Sequence, residues 1–344
     1  MRIAVIGFGG IGKAFISLIS NKRTTLLNEG FDFQISYILN SSGGIYDPKG
    51  INCEDVILFS NADGNIASYP NGGSPQLDFS SLLKNHDIDI LIELTPTNKE
   101  TGGVGMYHIK SALEHGIHVI TANKGPILLA YNELHALAVK NNVQLAIGCT
   151  TGGALPAING GIFDMAGSEI ESIEGILNGT TNFILKEMED TGITYNVALK
   201  KAQELGIAEA DPTLDVEGWD TASKLIILTN VLMNENKTLN DITVEGITNI
   251  TPWDIKKAKK ENKKYKLVGK TERINEELTM TVKLEKVDNS DTFYLVSDKN
   301  KAVRFTSDTL GDLTILGGAS GVMPAAASIL RDLINILRGY KFSG

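Results

Sequence analysis

Two cysteines in 344 residues, Cys53 and Cys149, are too few for a disulfide framework, so the chain reads as a cytoplasmic protein with free thiols. Long apolar runs are missing as well. Nothing approaches the ~18 residues of a membrane span, and the N-terminus enters a strand at once, which leaves no room for a secretory leader. Basic residues are in deficit, 32 Lys and Arg against 41 Asp and Glu. A net charge of -9 argues against a nucleic-acid partner, whose phosphates demand concentrated positive surface. The one lysine-rich stretch, residues 256–266, fits a solvated helix face. Histidine is scarce: His86, His108, His115, His118 and His135 all precede Cys149. No His/Cys/Asp set shows metal-ligand spacing, and there is no internal repeat.

What is present begins at residue 2. The length gives room for about two domains, each with its own core. Arg2 to Ile6 is a β-branched run that feeds straight into Gly7-Phe8-Gly9-Gly10-Ile11-Gly12. Ile11 to Leu27 then has helical spacing, with Ile11, Phe15, Leu18, Ile19 and Leu26 on its apolar side. This order of strand, glycine loop and helix predicts a dinucleotide site. Gly7 permits the tight turn, Gly9 lets backbone approach a pyrophosphate, Gly12 lets helix and strand pack, and the phosphates rest on free amides at the helix start. The second strand, Phe33 to Leu39, ends in Asn40-Ser41-Ser42, without a carboxylate for a ribose 2′-hydroxyl. That leans towards NADP over NAD, with Lys49 as the candidate partner of a 2′-phosphate. Residues 41–80, rich in Gly, Asn, Ser and Pro, predict a long loop over the cofactor. Strands at 88–93, 117–121 and 143–147 then alternate with helices at 104–115 and 131–141. The pattern is α/β, a Rossmann-type doubly wound parallel sheet. Ligands bind at the carboxyl ends of such strands, which places Thr95, Pro96 and Lys124 at the crevice.

From Glu169 the pattern changes. Strand-like runs at 169–177, 264–273, 278–287, 292–296, 302–306 and 313–316 predict a second, α+β domain with a mostly antiparallel sheet, one face of which offers a surface for pairing two copies. Asn178-Gly179-Thr180-Thr181 reads as a turn capping a helix, and further helices are expected at 195–205 and 216–233. Between these helices lie five carboxylates, Glu209, Asp211, Asp215, Glu217 and Asp220, followed by Lys224 at the head of an apolar run. Glu217, Asp220 and Lys224 are spaced by three and four and share a helix face, with Asp215 just before it as a cap. An exposed i,i+4 ion pair would also explain Asp220 and Lys224. The density of carboxylates favours a site for a small ligand carrying a cationic group, with a lysine placed to move a proton. Joined to the glycine loop, this points to a nicotinamide-dependent dehydrogenase.

At this point the residues resemble the homoserine dehydrogenase family. The most specific matches are Gly175 to Leu185, containing Asn178-Gly179-Thr180-Thr181, and Leu205 to Leu228. The glycine loop, Thr121 to Gly125 and the late glycine motif Gly317 to Pro324 extend the resemblance over nearly the whole chain. It implies interconversion of L-homoserine and L-aspartate 4-semialdehyde with NAD or NADP, a step towards threonine, methionine and isoleucine. It implies Lys224 as proton donor and acceptor, Lys124 as a second lysine near substrate and nicotinamide, and Asp220 beside them. Glu209 and Asp215 would hold the substrate ammonium and its surroundings, and Thr95 and Gly321 would touch the cofactor. A substrate carboxylate needs hydrogen-bond donors, for which the amides and hydroxyls of Asn178-Gly179-Thr180-Thr181 are the candidates. The implied cofactor domain is 1–150 plus about 317–344, and the substrate and dimerisation domain 151–316, in a homodimer. A Na⁺ or K⁺ site on the carbonyls of Thr151, Gly153 and Leu155 is implied too, although this chain lacks the acidic ligand usual before those glycines and has Ala325 where a threonine is common.

Two rival readings stand beside this one. Cys149-Thr150-Thr151 resembles the nucleophile motif of aldehyde dehydrogenases that pass through a thioester, but that chemistry uses a base further along the chain, and every histidine here lies before Cys149. The other rival is a non-catalytic nucleotide-binding sensor, which would have no use for both lysines and the acidic segment.

Overall fold

A computed structural model describes residues 1–62, 64–275, 277–298 and 300–343. The chain folds as two compact units, Met1–Thr150 with Gly321–Gly344, and Thr151–Ser320.

The first unit runs β1 (Arg2–Ile6), α1 (Gly10–Asn28), β2 (Gln34–Asn40), β3 (Gly43–Tyr46), α2 (Cys53–Asn61), β4 (Gly73–Ser74), α3 (Phe79–Asn85), β5 (Ile90–Glu93), α4 (Gly103–Glu114), β6 (His118–Thr121), α5 (Lys124–Lys140) and β7 (Leu145–Ala146). Its sheet has the order β4-β3-β2-β1-β5-β6-β7. From β2 to β7 neighbouring strands are parallel, while β3 and β4 add an antiparallel edge. Ile3, Ala4, Val5, Ile90, Leu91, Ile92, Val119 and Ile120 are all fully buried, as expected for parallel strands covered on both faces. The C-terminal helix (Val322–Leu337) packs on α1 and buries Ala326, Ile329 and Leu333.

Residues 41–80 are not the open loop that their composition suggested. Asn40 Oδ1 accepts from Ser42 N at 2.8 Å and the chain turns back as β3. Asn52 and Asp78 then cap α2 and α3 with their side chains. The polar residues serve as turn and cap chemistry. Likewise the helix expected from 131 begins at Lys124, capped by Asn123, and kinks at Ala130.

In the second unit, α6 (Cys149–Gly152), which spans the chain boundary between the units, and α7 (Ala157–Asn159) lead to β8 (Ile170–Ile176), α8 (Gly179–Thr191), α9 (Tyr195–Glu204), α10 (Thr213–Val216), α11 (Trp219–Leu232), β9 (Thr243–Val244), α12 (Pro252–Lys260), β10 (Lys263–Ile274), β11 (Glu277–Asp288), β12 (Lys301–Ser307) and β13 (Gly311–Gly317). The sheet order is β13-β12-β8-β10-β11-β9, antiparallel except for the short β9 edge. Helix α11 lies on this sheet with Leu225, Ile226, Ile227 and Leu228 fully buried, each stabilising by roughly 1.5–3 kcal/mol. Gly269 in β10 leaves room for it, since a Cβ there would lie 3.1 Å from Thr221 Cγ2.

Three expectations need correction here. The helix expected over 216–233 is broken at Gly218, whose φ of 91° no other residue adopts easily, so Glu217 ends α10 and leaves the face shared by Asp220 and Lys224. Residues 292–296 form a 3₁₀ turn (Thr292–Leu295), because Asp291 accepts from Phe293 N and caps it. The lysine-rich 256–266 stretch is half helix and half strand, and its last lysine, Lys266, is only 3% exposed.

Candidate functional site

In the first unit a cavity of about 920 Å³ opens at the carboxyl ends of β1, β2 and β5. It is lined by the glycine loop Gly7–Gly12 with Phe8, Gly10 and Ile11, by Asn40 and Ser41, and by Thr95 and Pro96. Two of the glycines are forced by the protein itself. A Cβ on Gly7 would sit 2.5 Å from the Leu94 carbonyl, and one on Gly12 would sit 2.2 Å from Gly7 O. Gly9 differs: a Cβ there would meet nothing within 4 Å. Its bareness keeps space clear for a ligand. Helix α1 starts at this loop with no side-chain cap and no acidic residue in its first turn, so its amides and dipole face an anion unopposed. Val322 follows Gly321 (φ 118°), and its Cγ1 would lie 3.1 Å from a Cβ on Gly10, so the start of the C-terminal helix abuts the same loop.

A buried carboxylate not singled out from the sequence organises the cavity wall. Glu93, fully buried at the end of β5, accepts from Thr95 N at 3.0 Å and from the Thr95 hydroxyl. Thr121 Oγ1 lies 3.3 Å from its other oxygen, and His108 Nδ1 lies 3.7 Å from Oε1. Asn123 Nδ2 reaches Thr95 Oγ1 at 3.4 Å while its Oδ1 caps α5, whose first residue is the half-buried Lys124. Around Asn40 and Ser41 the charges differ from expectation. Lys49 lines a separate cavity with Gln34 and Cys53, whereas Asp78 lines this one with Asn40 and Ser41. Hydrogen bonds from the Ser81 hydroxyl and amide hold the Asp78 carboxyl below its ordinary range, so it is ionised.

In the second unit the acidic segment divides. Lys224 Nζ is 2.6 Å from Asp220 Oδ2 and donates to Leu177 O at 2.7 Å. Both side chains are largely buried, 14% and 10% exposed, so this is not a solvated surface pair. Asn178 ties the group together. Its Oδ1 caps α8 at Thr181 N (2.9 Å), and its Nδ2 donates to Asp215 Oδ1 (2.7 Å) and Asp220 Oδ2 (3.0 Å). Asp215 therefore sits inside α10 as a bridge partner, not before a helix as a cap. Glu209, Asp211 and Glu217 are exposed, and Glu209 accepts through its carbonyl from Gln203 Nε2 at 3.1 Å. The hydroxyls of Thr180 and Thr181 are committed to Ile207 O and Asn178 O, which leaves the backbone amides of Gly179 and Thr180 as donors.

The loop Thr151–Leu155 fits a free cation poorly. Gly152 O accepts from the ammonium of Lys301 at 2.8 Å, and Leu155 O accepts from Ala157 N at 2.9 Å.

The family model for homoserine dehydrogenase matches residues 156–334, and that for the homoserine dehydrogenase NAD-binding domain matches residues 7–147. A homoserine dehydrogenase of Methanocaldococcus jannaschii is 38% identical over 341 residues, 99% of this chain and 100% of that one. The chain belongs to the homoserine dehydrogenase family. An NAD(+)-dependent homoserine dehydrogenase of Pseudomonas canavaninivorans is 36% identical, covering 97% of this chain and 96% of its own length. The crystal structure of a homoserine dehydrogenase from Thiobacillus denitrificans matches with a TM-score of 0.82 at 25% identity, over 98% of this chain and 73% of that one. The chain is thus an oxidoreductase with homoserine dehydrogenase activity that binds a nicotinamide cofactor and acts on a small-molecule substrate. The rival readings find no support. Cys149 is buried, with its thiol donating to Ala325 O at 3.7 Å. No helix among the described residues is long and apolar enough to cross a membrane.

Proposed function

We propose that Lys224 carries the proton of the homoserine reaction, with Asp220 orienting it and Asp215 and Asp220 receiving the substrate's ammonium group. The observation that supports this most is the clamp on Lys224: Asp220 Oδ2 at 2.6 Å and Leu177 O at 2.7 Å fix the Nζ, while Asn178 fixes the two carboxylates. A nicotinamide held by the glycine loop would supply the hydride chemistry at the substrate carbon, and this chain's residues handle the proton. Reduction of the aldehyde builds negative charge on its oxygen, and an aligned ammonium donates a proton as that charge grows. Oxidation needs the same amine neutral, which favours high pH. The substrate carboxylate is assigned to the amides of Gly179 and Thr180, and Glu209 to the outer rim, given its exposure. Lys124 is the alternative proton carrier. We expect Lys224→Ala to lose ~10²-fold or more in kcat with little change in cofactor affinity. The pH profile of homoserine oxidation decides between the lysines: the substitution that abolishes the rise of rate with pH identifies the acceptor. A Lys224→Ala enzyme that kept kcat and only raised KM would reverse the assignment.

For the cofactor, sequence alone favoured NADP. The ionised Asp78 beside Asn40 and Ser41, and the position of Lys49 on another cavity, favour NAD: a carboxylate accepts from a ribose 2′-hydroxyl and repels a 2′-phosphate. The NAD(+)-dependent relative supports the same reading. NAD should give the higher kcat/KM, and Asp78→Asn should move the ratio towards NADP by about tenfold. A wild-type preference for NADP would refute this. A homodimer through the second unit's sheet, whose strands β10 and β13 leave Ile274 and Leu316 exposed, and a cytoplasmic setting complete the reading.

A further inference from the structure

The second unit holds a lysine that the reaction does not call on. Lys301 is the first residue of β12, 5% exposed, and its neighbours Ala302 and Val303 are fully buried, so the strand holds its stem rigidly. Its Nζ donates to Gly152 O at 2.8 Å and would lie 3.7 Å from a Cβ on Gly153, whose φ is 60°. A Cβ on that glycine would also lie 3.9 Å from Ala319 O, so the late glycine motif closes the same space. Gly318 (φ 77°) sits tight against Leu155: a Cβ there would come within 2.6 Å of the Leu155 backbone nitrogen. The ammonium is therefore enclosed by the loop Thr151–Leu155 and by the turn before the C-terminal helix.

Burying an ammonium is expensive, and lysines are rarely this enclosed without a purpose that repays desolvation. The chemistry of the enclosure suggests one. Sodium, potassium and ammonium ions all take their stabilisation from carbonyl and hydroxyl oxygens converging on a single positive charge. This loop brings one such oxygen, Gly152 O, to the Lys301 ammonium, and a second loop oxygen, Thr151 Oγ1, is buried without a hydrogen-bond partner. A free monovalent cation on the adjacent carbonyls would face a fixed like charge where little water screens it. We propose that Lys301 is a tethered replacement for a monovalent cation: the loop's positive charge comes from the chain itself, and the enzyme is independent of Na⁺ and K⁺.

The test compares choline, sodium, potassium and ammonium chlorides at one ionic strength, reading both homoserine oxidation and the thermal midpoint. Wild-type enzyme should vary by less than about twofold across the four salts and show no saturable binding of Tl⁺, a K⁺ surrogate followed by its NMR linewidth. Lys301→Ala in choline chloride should lose about tenfold or more in kcat/KM, as expected when a buried group's charged partner is removed. Ammonium or potassium should then restore activity and midpoint along a saturating curve. Saturable Tl⁺ binding to the wild type, with activation by K⁺ or Na⁺ of about fivefold or more over choline, would overturn the proposal. So would a folded Lys301→Ala enzyme that loses nothing, or whose loss no cation repairs, since Lys301 would then be only a packing anchor. If Lys301→Ala does not fold, Lys301→Met keeps the stem and is read in the same four salts, and the wild-type Tl⁺ titration decides independently of either variant. Absence of homoserine oxidation in the wild type would count against the functional reading and leave the Tl⁺ and midpoint measurements to judge this one.

Discussion

Lys266 makes the stability of the second unit depend on pH in a direction opposite to that of most lysines. It lies in β10 on the same face as Val268, in the core with Val296, and donates to Asn182 Oδ1 at 2.9 Å and to Val296 O. The charged groups around it are mixed in sign: Lys264 and Lys186 oppose its charge, while Glu189 and Asp298 favour it. Burial dominates and lowers its pKa from 10.5 to about 8. Holding the proton in the folded state then costs about 3 kcal/mol, at 1.36 kcal/mol for each tenfold change. Between the two values the unfolded chain binds more protons than the folded one, so stability rises with pH across that window. Near neutrality both states are protonated and the cost is present in full; by pH ~9.5 about 2 kcal/mol of it is gone. Lys266→Met removes the titration and leaves Asn182 Oδ1 and Val296 O without this donor, a loss that does not vary with pH. Urea unfolding at about pH 7 and 9.5 reads the difference, followed by tryptophan emission because Trp219 and Trp253, the only two in the chain, lie in this unit. Wild type should gain about 2 kcal/mol over the variant between the two pH values. Parallel behaviour of the two proteins would refute the argument.

Two further outcomes follow from the sites. Asn178→Ser keeps an oxygen to cap α8 but loses the donors to Asp215 and Asp220, whereas Asn178→Ala loses both; the alanine variant should be less stable by about 1 kcal/mol, and equal urea midpoints would show that the cap contributes nothing. Glu93→Gln sets an amide against the Thr95 and Thr121 donors, so cofactor Kd should rise by about tenfold with kcat nearly unchanged; an unaltered Kd in a fluorescence titration would remove Glu93 from the cofactor wall.

What could be read from the sequence was what is local along the chain. Gly7 and Gly12 clash with atoms a few residues away or on the next strand, so their spacing carries their purpose. Asp220 and Lys224 meet because helical geometry brings i and i+4 together, and Asn178 caps a helix that starts beside it. Where a local signal was overlooked, the expectation failed locally as well. Gly218 marks the break that frees Glu217, and Asn262, with φ 55°, marks the turn that ends α12 and sends Lys263–Lys266 into a strand. The caps Asn52 and Asp78 were visible as residues, yet in a Gly- and Ser-rich stretch they looked like loop.

The residues that stayed hidden are those whose meaning depends on distant chain. Glu93 closes an apolar strand and finds Thr121 28 positions later; Lys266 meets Asn182 across 84 positions; Lys301 meets Gly152 across 149. In each case the sequence shows a charge of ordinary type, and only the sheet order reveals that it is enclosed. The two buried lysines then separate by what receives them. Lys266 holds Val296 O, and Asn182, its other partner, donates to Asp298 O, so together they pin the chain on its way into β12. Lys301, at the start of that strand, spends its charge on a loop that offers oxygens and no carboxylate side chain of its own, Thr151 to Leu155. A salt-dependent phenotype should therefore follow loss of Lys301 and spare loss of Lys266, whose variant should differ from wild type by a constant loss of stability and by its pH profile.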